Sequence, residues 1–298
     1  MLSRVAENIY WMGRYLERAE NTARLLNVTS FLLLDQPEWE SQVGWRRLVT
    51  VTGCGPLFSE FQGQTDADGI VRFLVSSTEN PASLFSSIAC ARANLRTMRN
   101  VLPLECWANI NDLSHFLKEQ GEAGCEEAHR YAFLEGLISQ CQTLVGILIG
   151  TLSRGPAFDF FRLGQHIERA DMCTRILDVD PSLWLPGIAH DSLWISLLCS
   201  VSGEFIYRRY VNPRIVAQDV VSFLLQDRRF PRSFNYCLHE MERSIRILDN
   251  NALCFQLLKR LERCVETRDV LEHGPSAFMD ELQQELDKLH QIIARTYF

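Results

Sequence analysis

The residues best suited to bind a charged ligand lie close together on the first helical stretch of the chain. Its charged and amide side chains include Arg14, Glu17, Arg18, Glu20, Asn21 and Arg24. Guanidinium groups bind carboxylates and phosphates through paired hydrogen bonds, so the arginines suggest an anion site. On a helix, Glu17 and Arg24 share one face two turns apart, whereas Arg18 points elsewhere. The charges therefore serve more than one surface.

The same residue types recur about 150 positions later. The identical residues are Gly13, Glu17, Arg18, Ala19, Arg24, Leu26 and Val28 in the first segment and Gly164, Glu168, Arg169, Ala170, Arg175, Leu177 and Val179 in the second. Seven identities in sixteen positions exceed the roughly one expected by chance and indicate an internal duplication. Pro81 with Ser83 matches Pro231 with Ser233, so the register continues along each copy.

Two interpretations of the repeated charges stay open on the sequence alone. In the first, Arg14, Arg18, Arg24, Arg169 and Arg175 line a cleft between two lobes that binds carboxylate or phosphate groups. Glu17 and Glu168 would then hold the guanidinium groups in place. In the second, all these residues form salt bridges within and between helices. Tyr207 and Arg208 are further candidates for the anion site, or else they belong to a packed rim with solvated charges.

Other catalytic or metal-binding patterns are weak. Glu126 and His129 have the spacing of a di-metal helix motif, but the second copy lacks this pair, and we interpret it as a charge cluster at a helix start. His166 stands opposite Tyr15 and is interpreted as a helix-surface histidine. The sequence contains neither a G-x-S-x-G elbow nor a glycine-rich phosphate loop. We therefore assign no catalytic residue, metal or cofactor.

The elements that carry these residues are predicted to be helices. Apolar residues in the first 26 positions recur at alternating spacings of three and four, which is the pattern of a helix-packing face. Further helices are predicted near 38–54, 66–77, 81–101, 104–119, 126–152, 157–178, 188–210, 214–226, 231–249, 253–270 and 276–297. Asn80 is the predicted cap of the helix near 81–101, and Pro81 is the predicted first residue of that helix.

The fold prediction is thus an all-α protein. It consists of two tandem helical-bundle repeats of about six helices each, 1–153 and 154–298, packed into one compact body with a pseudo-two-fold axis. With 298 residues, of which 47% are hydrophobic and 22% charged, the chain has the composition of a globular protein. A net charge of −7 argues against a nucleic-acid partner.

The cysteines and the apolar segments bear on location. Ten cysteines are scattered without a CxxC pair, and the N-terminus lacks the pattern of a signal peptide, which together indicate a cytoplasmic protein with buried free thiols. The most apolar run, Leu144 to Gly150, is far shorter than the roughly 20 residues that span a bilayer. We interpret it as part of a core helix and expect no membrane association.

The segment from Met1 to Arg24, MLSRVAENIYWMGRYLERAENTAR, closely resembles the signature of the bacterial alpha-E domain family, formerly a domain of unknown function. The resemblance continues through Phe73-Leu74, Asn80-Pro81, Ala91-Arg92, Glu105 with Trp107, the stretch from Gly164 to Arg175, Tyr207 to Tyr210 and Pro231 to Ser233. One departure lies at Ala93, where the family commonly has glutamate in an Ala-Arg-Glu-Asn-Ala-Arg pattern. This chain therefore lacks the carboxylate that the family pattern has at this position.

The resemblance implies partners. Family members resemble partners of circularly permuted ATP-grasp proteins and of transglutaminase-like peptidases that are encoded beside them or fused to them. This implies an accessory or substrate-binding component of an amide or peptide ligation or peptide-modification system, without ATP-binding motifs of its own. Two alternatives remain: a stand-alone enzyme that acts on amide or peptide bonds through helix-borne Glu and Arg residues, and a structural scaffold.

Overall fold

The computed structural model describes residues 1–34, 38–61, 65–178, 190–267 and 275–298. Throughout these ranges the regular secondary structure is helical, with fourteen α-helices, one 3-10 turn and no strand. The prediction of an all-α protein is confirmed. The described residues thus satisfy their backbone hydrogen bonds mainly within helices, and side chains supply the polar chemistry between them.

Seven α-helices lie in each half of the chain, where the sequence predicted about six. The first half contains α1 Ser3–Leu33, α2 Glu38–Val51, α3 Gly55–Glu60, α4 Ala67–Val75, α5 Leu84–Thr97, α6 Leu104–Gln120 and, after a 3-10 turn at Ala123–Cys125, α7 Glu127–Thr151. The second half contains α8 Pro156–Asp178, α9 His190–Ser200, α10 Glu204–Tyr210, α11 Ala217–Gln226, α12 Phe234–Arg246, α13 Ala252–Thr267 and α14 Pro275–Tyr297.

The additional helices arise where the backbone turns through the left-handed region. Gly53 has φ 75° and separates α2 from α3, which the sequence did not predict. Ser202 has φ 55° and divides the predicted helix 188–210 into α9 and α10. A glycine can adopt such a conformation without strain, whereas a serine there gives little warning in the sequence.

The predicted cap at Asn80 is wrong. Helix α5 begins at Leu84, and the oxygen that caps it is Ser83 Oγ, which accepts from the backbone N–H of Ser86 at 3.1 Å. Asn80 is instead completely buried in the preceding turn, where its Nδ2 donates to the Phe73 carbonyl at 3.1 Å. The sequence signal of Asn followed by Pro favoured a cap, but the buried amide binds an adjacent helix end.

The equivalent serine in the second half caps its helix in the same way. Ser233 Oγ accepts from the backbone N–H of Tyr236 at 3.1 Å, and α12 begins at Phe234. Pro231 therefore precedes the helix, as Pro81 does in the first half, and the predicted start at 231 is three residues early. The serine, rather than the residue before proline, marks each helix start.

The described chain divides into two compact units. The N-terminal unit is Trp11–Ser153, and the C-terminal unit combines Met1–Tyr10 with Arg154–Phe298. Within the N-terminal unit, α6 packs against both α5 and α7. Within the C-terminal unit, α8 packs most extensively, against α12 and α14. The first ten residues thus belong to the unit formed by the second half of the sequence.

Helix α7 is long and apolar enough to cross a membrane by length and composition. The same properties suit the core helix of a globular unit. Here α7 packs on α6 and buries eight of its side chains, which include Arg130. These contacts support the interpretation of Leu144 to Gly150 as part of a core helix, while the absence of membrane association stays a prediction.

A close helix approach in the C-terminal unit depends on a residue without a side chain. A Cβ atom added at Gly164 on α8 would lie 1.9 Å from the backbone oxygen of Tyr10. Tyr10 is itself completely buried, and its hydroxyl lies 2.9 Å from Nδ1 of His290 on α14. Backbone atoms cannot rotate aside as a flexible side chain can, so the approach requires glycine.

We predict that Gly164→Ala lowers the free energy of unfolding by about 3 kcal/mol or more, because α8 must move away from Tyr10 and its packing is lost. Gly146→Ala is the matched control, since Gly146 is exposed on α7 and no atom lies within 4 Å of the added Cβ. The control substitution should leave the free energy of unfolding unchanged or raise it by up to about 1 kcal/mol, because alanine has a higher helix propensity than glycine. Urea unfolding followed by circular dichroism measures both, and equal values would contradict the close approach.

Candidate functional site

The charged residues predicted on the opening helix are mostly withdrawn from solvent. Glu17 is 1% exposed and therefore buried in α1. Arg14 and Arg18 are half-buried, and each lies over an aromatic ring of its own helix. The Arg14 guanidinium carbon is 4.8 Å from the centroid of Trp11, and that of Arg18 is 5.8 Å from the centroid of Tyr15. Cation–π contacts of this kind stabilise the arginines against the helix surface.

Arg24 forms a buried ion pair with Glu20. Its Nε and Nη2 both donate to Glu20 Oε1, at 2.9 and 2.8 Å, and Gln142 Nε2 on α7 lies 3.4 Å from the same oxygen. The side chains of Arg24 and Glu20 are only 12% and 4% exposed. The sequence assigned Glu17 to hold the arginines, whereas for Arg24 the structure places Glu20 in that role. Spacing of four residues was the signal that could have revealed this partner.

The second copy repeats this ion pair. Arg175 Nε donates to Asp171 Oδ2 at 2.8 Å, again one helical turn apart. Arg175 and Asp171 correspond to Arg24 and Glu20 in the duplicated segment, but their side chains are 31% and 24% exposed. A pair that recurs at equivalent positions and joins residues of one helix supports the interpretation of these two arginines as structural.

Glu168 and Arg169 are adjacent in the second copy but differ in exposure. Glu168 is 4% exposed, like its equivalent Glu17. Arg169, the next residue, donates from Nη1 to the carbonyl of Pro231 at 3.1 Å. This hydrogen bond joins α8 to the turn before α12. Arg169 therefore has a structural contact at the position where the sequence predicted a ligand contact.

Tyr207 and Arg208 hold the segment between α10 and α11. Tyr207 is completely buried, and its hydroxyl donates to the Arg214 carbonyl at 3.2 Å and accepts from the Val216 N–H at 3.2 Å. Burial raises the pKa of the Tyr207 hydroxyl. Arg208 pairs with Glu204 at 2.8 Å and donates to the Pro213 carbonyl at 2.9 Å. Both side chains thus organise local backbone.

His166 is not on the helix surface, as the sequence interpretation had it. Its side chain is completely buried, and neither ring nitrogen has a hydrogen-bond partner among the described residues. Burial lowers the pKa of His166 well below its ordinary value, and the charges of Arg162, Arg169 and Arg232 lower it further. The spacing did contain a signal, because His166 follows Leu163 by three residues and precedes Ala170 by four.

The surroundings of His166 are tightly paired. Arg162 donates to Gln165 Oε1 at 2.8 Å and to Glu240 Oε2 on α12 at 2.9 Å. Burial alone would raise the pKa of Glu240, but hydrogen bonds from Arg162 and Arg243 bring it below its ordinary value. The Tyr236 ring centroid lies 6.0 Å from that of His166. His166 therefore sits neutral in a network whose charges are satisfied around it.

Neither metal ligands nor reactive thiols are evident in the described ranges. No group of three or more His, Cys, Asp or Glu side chains there is placed to hold an ion, and Glu126 and His129 are exposed around the start of α7. Of ten cysteine thiols, seven are buried. Burial raises the pKa of Cys106 and Cys254 to about 11 and also raises that of Cys141 well above its ordinary value. Such thiols remain protonated near neutral pH and are poor nucleophiles.

Comparison with known families identifies the chain. A family profile described as a predicted alpha-helical domain with a conserved ER motif matches residues 1–298. The chain belongs to the Alpha-E family. Four Glu-Arg dipeptides occur in this Alpha-E chain, beginning at Glu17, Glu168, Glu242 and Glu262. The first two occupy equivalent positions of the duplicated segment, and the glutamate of each is buried.

Related proteins occur in mycobacteria. An uncharacterised protein of Mycobacterium bovis is 25% identical over 268 residues, which cover 84% of this chain and 30% of the relative. An uncharacterised protein of Mycobacterium tuberculosis, strain H37Rv, is 24% identical with the same coverage. The chain therefore spans less than a third of the length of these relatives. No solved structure matches it.

We predict that Arg24→Met lowers the free energy of unfolding by about 3 kcal/mol, because Glu20 is left charged and buried. Arg175→Met is the matched control and should cost less than about 1 kcal/mol, since its pair is more exposed. The double variant Glu20→Met with Arg24→Met should recover most of the loss. Chemical unfolding measures all three, and equal losses for the two arginine variants would contradict the difference in burial.

A second prediction concerns pH. Because the pKa of His166 is lower in the folded state than when unfolded, stability is present above about pH 6.5 and is lost below it, at up to about 1.4 kcal/mol per pH unit. Asp159 contributes the opposite slope, since burial raises its pKa to about 6. Lowering the pH from 7.5 to 5.5 should therefore reduce the free energy of unfolding of the wild type relative to that of His166→Met, in which only the stabilising Asp159 effect remains.

The exposed His239 provides the control for this measurement. His239→Asn should retain the pH dependence of the wild type, while His166→Asn offers a second, polar replacement at the buried position. The same pH dependence in wild type and both His166 variants would show that His166 does not titrate on unfolding.

Proposed function

We propose that this Alpha-E chain is an accessory, substrate-binding component of an ATP-grasp-linked amide or peptide ligation or peptide-modification system. The observation that supports the proposal is the burial of the glutamates in the two repeated Glu-Arg pairs. Glu17 and Glu168 are buried in their helices, where a substrate in solvent does not reach them. The chain has a family-specific polar motif, yet both of its carboxylates are buried, which disfavours their direct attack on a bound substrate.

The chemistry of the other side chains also supports a component that binds substrate while a separate protein carries out the ATP-dependent reaction. The thiols of Cys106, Cys141 and Cys254 have raised pKa values, so they are unsuited to nucleophilic catalysis. The sequence contains no glycine-rich phosphate loop. ATP would then be bound by a separate ligase, and the resemblance makes a circularly permuted ATP-grasp protein the proposed partner. A transglutaminase-like peptidase is the proposed further member of the system.

The length of the mycobacterial relatives fits a component that acts with others. The Alpha-E region covers 30% of each relative, so in those proteins it is joined to other sequence. A domain that contributes substrate binding gains from such a connection, because a tether raises the effective concentration of its partner. A scaffold role is the second candidate, favoured by the structural hydrogen bonds of Arg169 and Arg208.

The test combines the purified chain with the circularly permuted ATP-grasp protein encoded in the same genome. We expect no ADP release and no amide product from the chain alone, and product formation with ADP release when both proteins and substrates are present. Each protein is assayed separately and together, with product identified by mass spectrometry. A panel of amino acids and short peptides supplies the carboxylate and the amine.

Glu17→Gln and Glu168→Gln distinguish the alternatives. If either variant folds and abolishes a turnover that the wild-type chain shows alone, the chain is an enzyme and the proposal fails. If the pair of proteins ligates and the folded variants change stability without changing product formation, the scaffold role is favoured instead. Circular dichroism of each variant establishes folding before the assay.

A further inference from the structure

A pocket in the N-terminal unit lies outside the charged positions predicted from sequence. Its volume is about 280 Å³, just below the roughly 300–1,000 Å³ of small-molecule sites, so it suits a ligand the size of one amino acid. Helices α1, α2, α4 and α7 supply its walls. The lining residues that the argument uses are Asn27, Phe31, Trp45, Asp68, Glu127 and Arg130.

Asn27 lines the pocket, and its side chain carries a buried hydrogen-bond acceptor that lacks a donor. Its side chain is 8% exposed, and Nδ2 donates to Glu135 Oε1 at 2.7 Å. This contact fixes the orientation of the amide, because a flipped Asn27 would set its oxygen against the Glu135 carboxylate. Asn27 Oδ1 then remains buried without a hydrogen-bond partner among the described residues. Such a group costs free energy until an N–H or O–H reaches it.

The cation that lines the pocket is partly satisfied by its neighbours. Arg130 is 5% exposed, and its Nη2 donates to Asp68 Oδ1 at 3.2 Å and to the Cys125 carbonyl at 2.7 Å. Its guanidinium carbon lies 5.3 Å from the ring centroid of Trp45. Arg130 Nε is buried without a hydrogen-bond partner among the described residues, so this guanidinium keeps one unused donor although its charge is paired with Asp68.

The carboxylates of the pocket outnumber that cation. Asp68 is 65% exposed although it pairs with Arg130. Glu127 is exposed at the start of α7 and makes no hydrogen bond or ion pair with the described residues. Two carboxylates against one guanidinium leave a net negative charge at the pocket, which together with the orphan acceptor favours a ligand that carries positive charge and hydrogen-bond donors.

Aromatic side chains surround the mouth. Phe31 and Tyr131 pack edge to face with centroids 5.2 Å apart, although the residues are 58% and 54% exposed. Leu34 beside them is 59% exposed. Large apolar side chains grouped at a pocket are a common sign of ligand binding, and aromatic rings also attract ammonium groups.

The second copy does not repeat these features. Helices α7 and α14 begin 148 residues apart, which sets Arg130 opposite Phe278. Phe278 is buried and apolar, so the helical architecture has no general need for an arginine there. Asn27 corresponds to Asp178, whose carboxylate accepts from Ser276 at 2.6 Å. The orphan amide and the buried arginine are therefore particular to the N-terminal unit.

From these observations we infer that the pocket binds the α-ammonium group of an apolar amino acid or of a peptide N-terminus. The ammonium group donates to Asn27 Oδ1 and lies near the carboxylates of Asp68 and Glu127, while the apolar side chain contacts Phe31 and Tyr131. The inference rests on the proposed function and deepens it, because this ligand is the amine component of an amide-forming reaction. It concerns binding alone and includes no bond-making step.

Calorimetric titration of the full chain with three probes tests the inference at pH 6.5, below the ordinary pKa of an α-ammonium group of about 7.7–8.0. L-phenylalaninamide is the cation, N-acetyl-L-phenylalaninamide the neutral analogue and N-acetyl-L-phenylalanine the anion. We expect the cation to bind at least about tenfold more tightly than either other probe, as the loss of a charged hydrogen bond implies. Equal binding of all three, preferred binding of the anion, or no binding at millimolar concentration overturns the inference.

Variants locate the binding. Glu127→Gln and Asp68→Asn should each weaken binding of L-phenylalaninamide about three- to tenfold, because a negative charge is lost. Asn27→Leu should weaken its binding about tenfold or more, because the hydrogen-bond acceptor is lost. Glu126→Gln is the matched control, since Glu126 is exposed, adjacent in sequence and outside the pocket lining. Because Glu127 and Asp68 are on the surface, their variants keep the test valid if Asn27→Leu fails to fold. Equal affinity of Glu127→Gln, Glu126→Gln and wild type places the ligand elsewhere and refutes the site.

A fourth probe separates the two sources of the ligand. Phenylalanyl-alanyl-alanine amide should bind as tightly as L-phenylalaninamide if the pocket takes a peptide N-terminus, and much more weakly if it takes a small amine. Both outcomes agree with ammonium recognition. The titrations need no ligase, so pocket binding without ATP-grasp-dependent ligation would reject the proposed function and retain the site.

Discussion

A charged side chain that folding withdraws from water must find a partner of opposite charge or a set of hydrogen bonds, and in a helical protein that partner commonly lies one turn away or on an adjacent helix. Arg24 with Glu20, and Arg175 with Asp171, meet this requirement within single helices. Glu242 meets it across two helices, through Arg246 on α12 and Lys259 on α13. The polar residues of both copies thus explain much of how their helices are fixed.

The same requirement identifies the places where structure alone does not account for a residue. With respect to the described ranges, His166 is buried with both ring nitrogens unpartnered, and Asn27 is buried with its amide oxygen unpartnered. The two cases differ in their surroundings. His166 is enclosed by a network in which Arg162 and Glu240 satisfy each other, whereas Asn27 lines a pocket with an aromatic mouth and carboxylates. An unsatisfied group beside a cavity points to a ligand more directly than one sealed in a core.

Duplication and specialisation can be separated in this way. The helix order, the serine caps of α5 and α12 and the ion pair one turn apart occur in both halves. Arg130 and Asn27 have no functional counterpart, since Phe278 and Asp178 occupy the equivalent positions. Repeated residues are then mainly those that build a helical unit, and the residues that differ are where a binding function can be specific to one unit. Repetition alone would have favoured the repeated arginines as a binding site, whereas this comparison favours residues that differ between the two copies.

By itself the sequence determined that the chain is helical, because apolar spacings of three and four recur along nearly its whole length, and its residue pattern already resembled the Alpha-E family to which it belongs. It also placed most helices within a few residues. Spacing on one helix was compatible with a Glu20–Arg24 pair and with a buried His166, but it could not decide either, since burial depends on which helix packs opposite. Only the tertiary structure brought Asn27, Trp45, Asp68 and Arg130 to one pocket, because they lie on four helices separated by long stretches of sequence.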